Sequence, residues 1–248
     1  MAIFRLLILW TVFNPFVLIL TAIPTEESTS KNSVHPTPDS SPSSDKPTAD
    51  SLSKKSLSSP NATISTDQIL EFSGELPRVK SLIQSALALT TQGLTYTYGS
   101  DEPEKGGMDC SGFTSYILRI NGFNDVPRDA SGQYTWLRKI GAFRAVLSDS
   151  PTTFELAELR PGDILFWMGT NKTDHDPAIT HTMIYLGTKK DTNGRIMVGS
   201  SDGRSYEGKT RWGVSVFDFQ LKADSQTIET RSTYPRFVGY GTPPGLRD

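Results

Sequence analysis

Cys110 is the only cysteine among 248 residues, so no internal disulfide can account for it. It stands in "GGMDCSGFTSYIL", where Asp109 precedes a run with helical spacing, so the thiol falls in the first turn of a helix. A thiol there sees the positive end of the helix dipole and unpaired backbone N–H groups, which favour the thiolate. The same N–H groups would stabilise the oxyanion formed when a thiolate attacks an amide carbonyl. The glycines at 106, 107 and 112 would admit a substrate backbone. The competing reading is a buried structural cysteine, since free cysteine is among the most buried residue types.

A nucleophilic thiol needs a base, ordinarily a histidine. Of the three histidines, His35 lies in a polar tract, His175 in the polar run "TNKTDHDPAIT", and His181 at the start of the alternating segment "THTMIYLG". In that segment Met183 and Tyr185 share the face of His181, and Thr182, Ile184 and Leu186 face the core. The cluster Asp174, His175, Asp176 and His181 offers metal-type donors but matches no usual zinc spacing, and no metal and no cofactor are expected.

Four blocks, "YTYGSDEPEKGGMDCSGF", "DVPRDASGQY", "LRPGDILFW" and "HTMIYLG", occur in this order and make the chain resemble the NlpC family of cell-wall cysteine peptidases. The resemblance runs over roughly residues 76–240. It implies a papain-like α+β fold and hydrolysis of an amide bond in the stem peptides of peptidoglycan. The bond it implies joins the γ-carboxyl of D-glutamate to the diamino acid; a D-alanyl cross-link is the alternative. It further implies Cys110 as nucleophile and His181 as base, with the backbone N–H of Cys110 in the oxyanion hole. Tyr96, Asp109, Ser111 and Arg128 match positions that border the site or hold the polar end of the stem peptide. At the third catalytic position the family carries a polar residue, where the simplest alignment gives Gly199. Asp202 is the first choice for orienting His181 and Ser201 the alternative. That departure leaves room for a rival reading, a non-catalytic wall-binding module of the same fold.

The elements that must hold these residues are legible by period. "LPRVKSLIQSALALTTQG" places Val79, Leu82, Ile83, Ala86 and Leu89 on one helical face, and "CSGFTSYILRING" does so with Phe113, Tyr116, Ile117 and Ile120. "DILFWM", "THTMIYLGT", "RIMVGSS", "GVSVFDF" and "RFVGYGT" read as strands. Helices followed by an antiparallel run predict an α+β domain, helices packed on a sheet, over residues 67–248. Trp136 and Trp212 are candidates for the walls of a groove, and Trp167 for the core.

Ahead of the domain, residues 1–23 have Arg5 before a long apolar stretch and read as a secretory signal peptide or an uncleaved anchor. Residues 24–66, rich in Ser, Thr and Pro, read as a disordered linker. An exported protein of a bacterial periplasm or envelope follows, with a membrane tether if the anchor stays. The formal net charge of −2, with no basic run, gives no footprint for nucleic acid.

Overall fold

The computed structural model describes residues 61–221 and 235–248, so the expected signal segment and most of the linker lie outside the described residues. No helix among the described residues is long and apolar enough to cross a membrane. Among the described residues three α-helices precede a six-stranded antiparallel sheet, an α+β arrangement. Helix α1 spans Pro77–Thr90, α2 Cys110–Ile120 and α3 Ala130–Lys139. Strands β1 (Thr95–Tyr96) and β2 (Gly107–Met108) form a short parallel pair just before α2. The large sheet has the order β3-β8-β4-β5-β6-β7. Its strands are β3 Phe143–Ala145, β4 Ile164–Met168, β5 Ile179–Thr188, β6 Arg195–Tyr206, β7 Lys209–Asp218 and β8 Arg236–Gly241.

Helix α1 starts on Pro77, whose fixed φ and missing N–H suit the first turn. Helices α2 and α3 each start on an aspartate that accepts a backbone N–H: Asp109 from Gly112 at 2.6 Å and Asp129 from Gly132 at 2.8 Å. The inward face of α2 is Phe113, Ile117 and Leu118, whereas Ile120 ends up exposed. Both faces of the sheet are buried. Ile164, Phe166, Ile184, Leu186, Val198 and Val216 pack with the helices, while Leu165, Trp167, Met183, Tyr185, Met197 and Phe217 form a second cluster. The face of β5 that carries Met183 and Tyr185 is therefore a core in its own right.

The ordered fold begins before residue 67. Ala62 and Ile64 are buried in the main core. Asn61 Nδ2 donates to the carbonyls of Leu94 (3.0 Å) and Val214 (2.7 Å). Ala62 donates to Ser215 Oγ and accepts from the N–H of Val216. Residues 61–64 thus cover the outer edge of β7, an edge strand that would otherwise expose unpaired backbone groups. Linker composition misplaced this boundary, because the bonds that fix Asn61 are made to carbonyls 33 and 153 residues away.

Candidate active site

Cys110 is buried at the first position of α2. Its Sγ donates to the carbonyl of Thr180 at 4.0 Å, and the N–H of Thr182 favours its thiolate. The thiol is therefore seated against the two residues that flank His181. Sheet topology makes room for it. The β5–β6 ladder runs from Thr188↔Arg195 to Ile184↔Val198, and beyond it β6 stays paired with β7 alone. Ser200 Oγ donates to the carbonyl of Met108 at 2.6 Å, immediately before Asp109 and Cys110. The start of α2 is thus tied to β6 just beyond the point where its ladder with β5 stops.

Burial pushes the Cys110 thiol up to about 11, and the Asp109 carboxylate adds to the rise. Backbone N–H groups of Thr182, Ser111 and Cys110 pull the other way and do not offset it. A standing thiolate, expected from the helix dipole alone, is therefore not the resting form. Desolvation outweighs the helix terminus here.

Asp109 is held from every side. Its Oδ1 accepts from Gly112 N, Ser111 Oγ (3.2 Å) and Arg128 Nη1 (3.0 Å), and its Oδ2 from Gly99 N (2.8 Å) and Arg128 Nη2 (2.9 Å). Arg128 Nη1 also reaches Ser111 Oγ at 3.1 Å. Gly112 is required because a Cβ there would lie 2.2 Å from the carbonyl of Ser100. At Gly107 it would lie 2.2 Å from Thr97 Oγ1. The close approach that these two glycines permit is thus made by the chain's own loop, not by a substrate.

Two clefts meet here. One is lined by Cys110, Asp109, Ser111, Arg128, Tyr98 and His175, and the other by His181, Trp167, Ser201, Asp202, Arg204 and Asp218. Tyr96, Asn171 and Thr180 line both, so the two run together across the start of β5. Burial, then the charges on Cys110, Asp202 and Asp109, hold the Tyr96 hydroxyl far above its ordinary value. It stays a neutral hydrogen-bond donor at the junction. His181 is buried beside Trp167, its partner across the β4–β5 ladder, with ring centroids 5.8 Å apart. Trp167 is core, yet it also walls the second cleft under the guanidinium of Arg204, 4.3 Å from its ring. Trp136 packs against the main core, and Trp212 is partly exposed beside Gly203.

A family model described as the NlpC/P60 family matches residues 93–211, which include Cys110, Arg128, His181 and Asp202. Residues 93–211 belong to the NlpC/P60 family. Among curated relatives, the chain is similar to a "Probable endopeptidase p60" of Listeria seeligeri, 29% identical over 129 residues. The protein of the same name from Listeria welshimeri is 28% identical over 129 residues. Each match covers 51% of this chain and 19% of the relative, so the chain spans about a fifth of the relatives' length. Two solved structures are also similar. One is a lipoprotein-like protein of the NLP/P60 family from Staphylococcus aureus, at 18% identity and TM-score 0.37, covering 75% of this chain and 46% of that one. The other is the NlpC/p60 domain of the peptidoglycan hydrolase SagA, at 20% identity and TM-score 0.37, covering 65% of this chain and 97% of that one.

Within this NlpC/P60 domain the third position has a packing explanation. A Cβ at Gly199 would lie 2.9 Å from Met183 Cγ, so the space that a longer side chain would need is filled by Met183. Counting on from Ile184↔Val198 brings Ser201, not Gly199, to the level of His181. Ser201 is buried and Asp202 exposed, and both line the cleft of His181. His175, read from sequence as a loop residue, borders the Cys110 cleft with its Nδ1 3.1 Å from the carbonyl of Pro177. Among the described residues no group of three or more His, Cys, Asp or Glu side chains is gathered as a metal cluster. Sequence reasoning missed Gln133, which is fully buried behind the nucleophile. Its signal was the spacing of Ala130, Gln133 and Leu137 along one face of α3.

Proposed function

We propose that the chain is a peptidoglycan hydrolase of the bacterial envelope, papain-like in fold and cysteine-type in mechanism. Its substrate on this reading is a stem peptide, cut between the γ-carboxyl of D-glutamate and the diamino acid. The observation that carries it is the seating of the Cys110 thiol, at the head of α2, between the backbone groups that flank His181. With the thiol neutral at rest, His181 takes its proton as sulfur attacks the amide carbon. The carbonyl oxygen becomes an oxyanion facing the N–H of Cys110, one of the unpaired donors of the helix start. As the C–N bond breaks, the imidazolium of His181 gives its proton to the leaving amine and a thioester remains. Water, deprotonated by His181, then releases the acid and restores the thiol.

The acyl half would lie in the Cys110 cleft, near Tyr96, Ser111 and Arg128, and the leaving amine in the His181 cleft. Asp109, with five donors on its two oxygens, supports this half more than it binds substrate. Asp202 is the group proposed to orient His181 across its cleft, with Ser201 as the alternative. Residues 1–23 would direct export, cleaved or kept as an anchor. The test is mass spectrometry of muropeptides after digestion with the wild-type protein and with Cys110→Ser. Products ending in a free D-glutamate γ-carboxyl, absent with the variant, support the reading. Products cut at D-alanine would move the bond, and no products from either protein would leave a wall-binding module.

A further inference from the structure

Gln133 is fully buried in α3, between Ala130 and Leu137 on the inward face, where a leucine would pack as well. A buried amide is costly unless its hydrogen bonds are made. Its Nε2 meets this by donating to two carbonyls, Ser111 O and Pro127 O, both at 3.0 Å. Its Oε1 is buried without a hydrogen-bond partner among the described residues, so the amide is kept for what its nitrogen holds. The first belongs to the residue after the nucleophile. The second belongs to the residue before Arg128, whose guanidinium grips Asp109 and Ser111 Oγ. A closed ring results, from Gln133 through the first turn of α2, Arg128 and Pro127 back to the same amide.

We infer that Gln133 is a positioning residue for the thiol, holding the first turn of α2 and the Arg128 loop in one fixed relation. This rests on the reading of Cys110 as the nucleophile. The charge geometry makes the consequence specific. Asp109 opposes ionisation of Cys110, and Arg128 is the cation set against Asp109. Arg128 has a second carboxylate nearby, Asp101, at 3.6 Å from its Nε. With the Pro127 carbonyl released, the guanidinium can move toward Asp101, and Asp109 then bears on the thiol with less compensation. The other titratable groups around the thiol are Tyr96 from β1, His181 from β5, Asp129 at the start of α3, and Tyr98 and His175 on the cleft loops. Asp202 on β6 bears on the same place through Tyr96. Of these, Asp129 is bonded to Gln133 through the main chain only, its carbonyl accepting from the Gln133 N–H at 3.0 Å.

The experiment uses the full chain, in which the single cysteine makes thiol alkylation site-specific. Gln133→Leu and Gln133→Glu are compared with wild type in the pH profile of alkylation by iodoacetamide, in kcat and KM on muropeptides, and in Tm. Gln133→Leu is expected to alkylate along a profile displaced to higher pH. Its kcat should fall roughly tenfold or more with KM little changed, as expected of a nucleophile set slightly out of place. Gln133→Glu keeps the shape but turns an anion toward two carbonyls, so it should match the leucine variant at neutral pH and recover toward acid. A lowered Tm with wild-type alkylation profile and kcat in either folded variant would overturn the inference. Should Gln133→Leu fail to fold, Gln133→Glu alone decides it in the same way. If the wild-type protein cuts no muropeptide, the proposed substrate fails, while the alkylation profiles still decide the role of Gln133.

Discussion

The two halves of the site grow from different elements, a helix start at Cys110 and a strand start at His181. On the Cys110 side, one carboxylate takes five hydrogen bonds and one guanidinium makes three to Asp109 and Ser111. On the His181 side, the imidazole lies against Trp167 across the β4–β5 ladder, Arg204 sits over the same indole, and Met183 fills the space over Gly199. Hydrogen bonds fix direction as well as distance, so the helix start that carries the nucleophile is set in both. A helix start can be over-determined because its donors converge on one cap. A strand start inside a filled sheet is held by its ladder and by the volumes of its neighbours.

The largest effects should come from the two reacting groups themselves. Cys110→Ser and His181→Ala are each expected to lower kcat by roughly 10³-fold or more, with Tm little altered. His175→Ala should change kcat less than about threefold, since its exposed ring borders the cleft and is turned to the Pro177 carbonyl. A more damaging His175→Ala would give the base to the Cys110 side and dissolve the comparison.

Asp109→Asn strikes the hydrogen-bonded half and should split stability from reactivity. Losing a charged cap bonded to arginine is expected to cost about 1–3 kcal/mol, read as a fall in Tm. Burial pushes the Cys110 thiol up to about 11 and Asp109 adds to the rise, so the variant's alkylation profile should move to lower pH than that of wild type. A profile moving upward would mean that Arg128, freed from Asp109, no longer faces the thiol.

The boundary at Asn61 predicts a contrast between two deletions. Removing residues 24–60 should leave Tm unchanged. Removing 24–66 also takes buried Ile64 and Ala62, and should cost on the order of 2–4 kcal/mol in urea unfolding. Equal midpoints would show that the cover over β7 adds nothing.

The smallest expected effect tests the half that grows from the strand start. Asp202 is exposed, and an exposed charge acting across a solvated cleft is screened. Asp202→Asn should therefore lower kcat by only about tenfold, with Ser201→Ala within about twofold. A fall of several orders of magnitude in either would show that the His181 side is held as tightly as the other.

Much of this was legible in the residues, wherever position along the chain is itself the signal. Val79, Leu82, Ile83 and Ala86 announce α1, and Asp109 before Cys110 announces the start of α2. Five of the six strands of the large sheet could be read from β-branched and aromatic runs. Helix α3 was hidden because only Ala130, Gln133 and Leu137 are buried in it, among the weaker helix formers Ser131, Gly132 and Thr135. The short β1 and β2, two residues each, lie below any periodicity. The role of Gln133 depends on joining a carbonyl 22 residues away to one in its own loop, that of Asn61 on carbonyls 33 and 153 residues away, and the fit of Met183 over Gly199 on register. None of these three is a local property.

Asn61 and Asn171 each begin an Asn-x-Thr triplet, the acceptor pattern for N-linked sugar in a eukaryotic secretory pathway. Asn61 already gives its amide to two carbonyls, so a glycan on that nitrogen would have to break the latch over β7. Asn171 lines both clefts, and a sugar tree rooted there would stand over the junction between Cys110 and His181. The same chain would therefore leave a bacterial cell with its site open, and leave a glycosylating cell with that site covered.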